Sequence, residues 1–124
     1  MILVVDDDPL VRAAIVRALT ELGYQTGEAA DGKAALAALG AAEPPSLVIL
    51  DYVMPGMDGA EVAREIAATD PDLPVVFSTG HAALRALRLA AGDDVDVLTK
   101  PFSLDELDDL LRERLAKGRR ARFA

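Results

Sequence analysis

A chain of 124 residues, 52% of them hydrophobic, has the length of one domain with a core of its own. It has no cysteine, which excludes structural disulfides and thiolate metal sites and makes a reducing, cytoplasmic setting the expectation. The formal charge of −8 divides into +4 over residues 117–124 and −12 over the rest, an acidic body that argues against nucleic acid as a direct partner, and no apolar run approaches a membrane span.

Five strand-then-helix units follow in order. Ile2–Val5 is an uninterrupted apolar run, the pattern of a strand buried on both faces, and it ends in Asp6-Asp7-Asp8. The chain thus opens on a strand, with no signal-peptide pattern ahead of it. A helix is predicted from about Leu10 to Leu22, with Val11, Ile15, Leu19 and Leu22 on its inner face. Asp8 suits its N-cap, Pro9 its first position and Gly23 its end. A strand over 25–29 leads through Asp31-Gly32 to an alanine-rich helix that stops near Gly40, and Glu43-Pro44-Pro45-Ser46 reads as a turn. Leu47–Leu50 is a second buried-strand pattern and runs into Asp51. The loop Tyr52 to Gly59 follows, then a helix to about Ala68. In that loop Gly56 is free to take a positive φ, and Asp58-Gly59 reads as a turn and helix start without chemistry. A strand over 74–78 leads through Thr79-Gly80-His81 to a helix over about 82–91. A short strand over 95–98 precedes Lys100-Pro101-Phe102. The last helix runs from Leu104 to about Ala116, opened by a Ser103/Glu106 capping box.

Strands alternating with helices throughout predict an α/β fold with a parallel sheet covered on both faces. Asp51 then sits at the carboxyl end of a buried strand, where open α/β sheets place their reactive groups. Asp6 and Asp7 close a strand of the same design. Carboxylates crowded together repel one another, which points to a divalent cation site.

Four motifs in this order resemble the receiver domain of two-component response regulators, over essentially the whole chain. They are Asp6-Asp7 after the first strand, Asp51 in LD-x-x-MPGMDG after the third, Thr79-Gly80 after the fourth and Lys100-Pro101-Phe102 after the fifth. The resemblance implies a flavodoxin-like (βα)5 doubly wound sheet in the order 2-1-3-4-5, with Asp6-Asp7 and Asp51 flanking the switch point between strands 1 and 3. It implies a receiver over residues 1–117, with 118–124 a basic tail or the start of a linker. Asp51 would be the phosphoacceptor, taking a phosphoryl group from a histidine kinase or a histidine phosphotransfer protein. Mg2+, or alternatively Mn2+, would be held by Asp6, Asp7, Asp51 and the backbone carbonyl of Val53. Thr79 would hydrogen-bond the phosphoryl group and Lys100 would pair with its oxygens, while Gly80 leaves room for it. The Lys100–Pro101 bond would be cis. Phosphorylation would switch partner binding, with a phosphorylation-dependent homodimer as one outcome. The context would be a single-domain regulator or a hybrid histidine kinase.

Other readings stand beside these. Thr79 also suits a helix N-cap, and alternation along the strand turns Ser78 away from it. His81 lies where the family modulates dephosphorylation, and reads equally as an exposed helix-start residue. With no second histidine and no cysteine, zinc is not expected. The position three before Lys100, usually an aromatic switch in the family, is Val97. The common Gly-Ala-x-x-Tyr segment is replaced by Ala91-Gly92-Asp93-Asp94-Val95-Asp96. An aspartate-nucleophile phosphatase also places a carboxylate after a buried strand. Many such enzymes carry a second acid two positions on, where this chain has Val53. A phosphorylation-independent interaction module would not need the intact acid, hydroxyl and lysine set. A Rossmann nucleotide unit lacks its glycine-rich loop here.

Overall fold

The computed structural model describes residues 1–123, and side chains as far as Ala116. Its strands are β1 (Ile2–Val5), β2 (Thr26–Ala29), β3 (Leu47–Asp51), β4 (Val75–Gly80) and β5 (Asp96–Lys100). Its helices are α1 (Pro9–Glu21), α2 (Gly32–Leu39), α3 (Gly59–Thr69), α4 (His81–Ala91) and α5 (Leu104–Phe123). The strands form one parallel sheet in the order β2-β1-β3-β4-β5.

The central strands are apolar on both sides because both sides are covered. Leu3, Val5, Val48, Leu50 and Phe77 pack with Ala35 of α2, Val62 and Ile66 of α3 and Leu87 of α4. The alternate residues Ile2, Val4, Ile49, Val76 and Leu98 pack with Ile15 and Leu19 of α1 and Leu107 and Leu111 of α5. Each fully buried large aliphatic side chain contributes roughly 1.5–3 kcal/mol. Val11 and Leu22 of the predicted inner face lie at the rim of this second cluster, half-buried.

Side chains cap four of the helix starts, at Asp8 and Ser103 as predicted and at Asp31 and Asp58 besides. The Asp8 carboxylate accepts from Leu10 N at 2.9 Å and Val11 N at 3.4 Å, with Pro9 at the first position. Asp31 Oδ1 accepts from Ala34 N at 2.8 Å, and Asp58 Oδ1 from Glu61 N at 3.0 Å. Ser103 Oγ accepts from Glu106 N at 3.0 Å and donates to Glu106 Oε1 at 3.2 Å. Gly23, just past α1, has φ +91°, and Gly56 in the β3–α3 loop has φ +80°, values that favour glycine.

Several boundaries differ from expectation. β4 and β5 extend two residues further, because the ladder continues through Thr79↔Thr99 and Gly80↔Lys100. α4 accordingly starts at His81 with Gly80 as N-cap and no side-chain cap, so Thr79 is a strand residue and not the cap. α5 runs past Ala116 to Phe123, through residues that are mostly good helix formers. The side chains of the basic run 117–124 lie outside the described residues.

Candidate functional site

The chain leaves β1 toward the β2 edge and leaves β3 toward the β4–β5 edge. The carboxyl ends of β1 and β3 therefore open a crevice that no crossover covers, and polar residues collect there. Asp6 follows β1 and is 1% exposed. Its backbone N–H donates to Ala29 O at 3.2 Å, which continues the β1–β2 ladder by one residue. Its Oδ1 accepts from Asp8 N at 2.9 Å, and its Oδ2 pairs with Lys100 Nζ at 3.1 Å. Its carbonyl accepts from Arg12 Nη1 at 2.7 Å, and Arg12 is oriented by Glu28 of β2, whose Oε1 lies 3.1 Å from Nε.

Asp51 ends β3 and is 7% exposed. Its Oδ1 lies 3.5 Å from Lys100 Nζ. Burial pushes its carboxyl up to about 6; the Lys100 ammonium opposes that rise, and the neighbouring charges of Asp6 and Asp7 add to it. One oxygen each from Asp6, Asp7 and Asp51 lie within 4.8 Å of one another, with Asp7 exposed and the other two buried. Three hard oxygen donors, one facing solvent, suit a cation such as Mg2+ that keeps some of its water. Among the described residues this is the grouping of acids able to hold a metal, and His81, exposed at the start of α4, is not part of it.

Lys100 reaches both Asp6 and Asp51 from the end of β5, so the structure brings together the lysine and the acids that the sequence singles out. The peptide bond that follows it, Lys100–Pro101, is cis. Thr79 is 1% exposed and its hydroxyl has no partner among the described residues. Val53 stands in the loop after Asp51 and is 60% exposed. A Cβ built on Gly80 would meet nothing within 4 Å, so the space in front of β4 is open.

Three residues play larger parts than their sequence context suggests. Gly59 packs directly under the start of the β3–α3 loop. A Cβ there would lie 2.5 Å from Asp51 O and 2.8 Å from Tyr52 Cα, and its N–H donates to Tyr52 O at 2.8 Å. The Asp58-Gly59 pair signals a turn but not this close approach. Arg12 has no sequence signal for its reach back to Asp6. Ser78 pairs in register with Asp51, a relation that only the strand alignment reveals.

A doubly wound five-stranded sheet with an acid cluster and a lysine at its switch point defines a class, and comparison with known proteins agrees. The sequence profile of the response regulator receiver domain matches residues 2–112, so the chain belongs to that family. It is 42% identical over 118 residues to the response regulator MprA of Mycolicibacterium vanbaalenii, covering 94% of this chain and 50% of that protein. The MprA of Mycobacterium bovis is equally similar, so the chain spans about half the length of these curated relatives. Among solved structures, the receiver domain of NtrX from Brucella abortus superposes with a TM-score of 0.85 at 34% identity, over 94% of this chain and 98% of that one. A CheY-like receiver domain protein from Methanospirillum hungatei gives 0.83 at 28% identity, over 97% and 96%. The 2-1-3-4-5 topology expected from the resemblance is the one observed. No helix among the described residues is long and apolar enough to cross a membrane.

Proposed function

We propose that this receiver domain takes a phosphoryl group onto Asp51 from a phosphohistidine on a histidine kinase or a histidine phosphotransfer protein. The observation that carries this is the buried Asp51 carboxylate, 3.5 Å from Lys100 Nζ and clustered with Asp6 and Asp7. An ionised Asp51 oxygen attacks phosphorus. The P–N bond to the donor imidazole breaks, its electron pair stays on the nitrogen, and a P–O bond forms an acyl phosphate. Such a transfer needs positioning and charge neutralisation more than covalent help. Lys100 supplies a fixed positive charge for the phosphoryl oxygens, and the unpartnered Thr79 hydroxyl supplies a donor to one of them. Asp6, Asp7, Asp51 and the Val53 carbonyl would hold Mg2+, with Mn2+ as the alternative. The ion supplies neutralisation of charge on the phosphoryl oxygens.

Beside the site, Leu10 is 81% exposed and, with Val11, Pro101 and Phe102, lines a hollow of about 430 Å³. That apolar rim suits the helices of a phosphodonor. We take the receiver unit to span residues 1–117 and residues 118–124 to be a basic tail or linker start, in keeping with the profile match over 2–112. The setting is cytoplasmic, the reading is a signalling switch and not an enzyme, and the output is altered partner binding, homodimerisation included. An aspartate-nucleophile phosphatase is disfavoured because the residue two positions after Asp51 is Val53 and carries no acid. Incubation with acetyl phosphate and Mg2+ should add one phosphoryl mass to the wild type and none to Asp51→Asn. Equal labelling of the two would place the acceptor elsewhere.

A further inference from the structure

Two buried hydroxyls near the end of β4, Ser78 and Thr79, have no partner among the described residues, and the chemistry above uses only that of Thr79. Ser78 is 1% exposed. Ser78 and Asp51 are direct partners in the β3–β4 ladder, and residues in register on neighbouring parallel strands share a face of the sheet. The preceding pair on that face, Ile49 and Val76, lies in the cluster against α1 and α5, and so does Leu98, the β5 partner of Ser78. The hydroxyl thus stands on the Asp51 face, between the acceptor strand and the strand that carries Lys100.

A buried hydroxyl without a partner destabilises a fold, and alanine would occupy nearly the same space free of that penalty. Groups that weaken a fold concentrate where a site needs them. We infer that Ser78 is a further positioning residue for phosphoryl transfer to Asp51. Its side chain turns among its rotamers to donate a hydrogen bond to the Asp51 carboxylate and holds that carboxylate in the orientation from which it attacks. No bond of Ser78 forms or breaks in the step. This inference rests on the reading of Asp51 as the acceptor.

The test compares wild type with Ser78→Ala in the full chain, by three measurements. The first is the melting temperature without ligands. The second is the rate of phosphoryl loading from acetyl phosphate with Mg2+, by intact mass. The third is the affinity for Mg2+ alone, by amide chemical shifts. The alanine variant should melt at or above the wild type, load about fivefold more slowly, as loss of one hydrogen bond in the transition state predicts, and bind Mg2+ unchanged. Equal loading rates would overturn the inference. So would a lower melting temperature or weakened Mg2+ binding, since either makes the hydroxyl a support of the fold or of the acid cluster. A wild type that takes no phosphoryl group at all would sink the acceptor reading instead.

Discussion

At the scale of single residues, the site holds Asp51 in a state that opposes folding. Burial raises its carboxyl from 3.8 to about 6. Below the lower value both folded and unfolded chains hold the proton, and above the upper value neither does. Between them the folded chain keeps a proton that the unfolded chain has lost, so this group's contribution to stability falls as pH rises through that window. Asp51→Asn should therefore melt higher than the wild type at pH 7 in the absence of divalent cations, and the gap should narrow on acidification toward pH 4. A constant gap over that range would mean that Asp51 titrates as an ordinary carboxylate. Gly59 constrains the same residue from behind. An added methyl would press on the Asp51 carbonyl, a backbone atom that cannot swing aside. Gly59→Ala should cost about 1–3 kcal/mol of stability, read by urea denaturation, and should slow phosphoryl loading as the acceptor loop shifts. Full stability in that variant would show that the loop yields freely. The acids and Lys100 were legible in the sequence because ionisable side chains at strand ends are conspicuous. Gly59, Arg12 and Ser78 were not, because their parts depend on backbone approach, a long side chain's reach and strand register.

At the scale of elements, strands read from apolar runs came out short where the chain turns polar. Ser78, Thr79, Thr99 and Lys100 interrupt the hydrophobic pattern, but the backbone ladder does not stop for side chains. The consequence is that Thr79 belongs to β4 and α4 begins at His81, with only a glycine cap. A helix start without a side-chain cap is held less firmly than those at Asp8, Asp31 and Asp58. Val97, at the position often occupied by an aromatic switch, is half-buried against the cluster of Phe77 and Leu87. Its β-branched side chain has few rotamers and no ring to swing inward. A phosphoryl group that draws Thr79 and Lys100 toward it should thus move the β4–α4 junction. Beryllofluoride with Mg2+ should perturb the amide signals of residues 79–84 strongly and that of Val97 weakly. A quiet 79–84 segment with a large response at Val97 would reverse the assignment.

At the scale of the whole molecule, the alternation of apolar strands and helices made a covered parallel sheet legible, but no periodicity dictates the strand order. That order was readable only from four motifs met in sequence, each at a strand's end, and it is what makes the acids of β1 and β3 neighbours across the switch point. The same convergence links the site to global stability. Asp6, Asp7 and Asp51 have oxygens within 4.8 Å of one another, and Lys100 is the cation the structure places against Asp6 and Asp51. Repulsion not offset by Lys100 lowers the stability of the folded chain, and a bound divalent cation relieves it. A ligand that binds only the folded state stabilises it by mass action, so Mg2+ at ten times its dissociation constant should add about 1.4 kcal/mol. For a domain of this size that is a rise of a few degrees in Tm. Asp7 is the exposed member of the cluster, so Asp7→Asn removes one of its carboxylates without disturbing the core, and the rise should shrink sharply in that variant. Calcium-free buffers with and without Mg2+, run on both proteins, make the comparison. An equal rise in the two would put the cation at another site and leave the acid cluster as a purely electrostatic feature of the crevice.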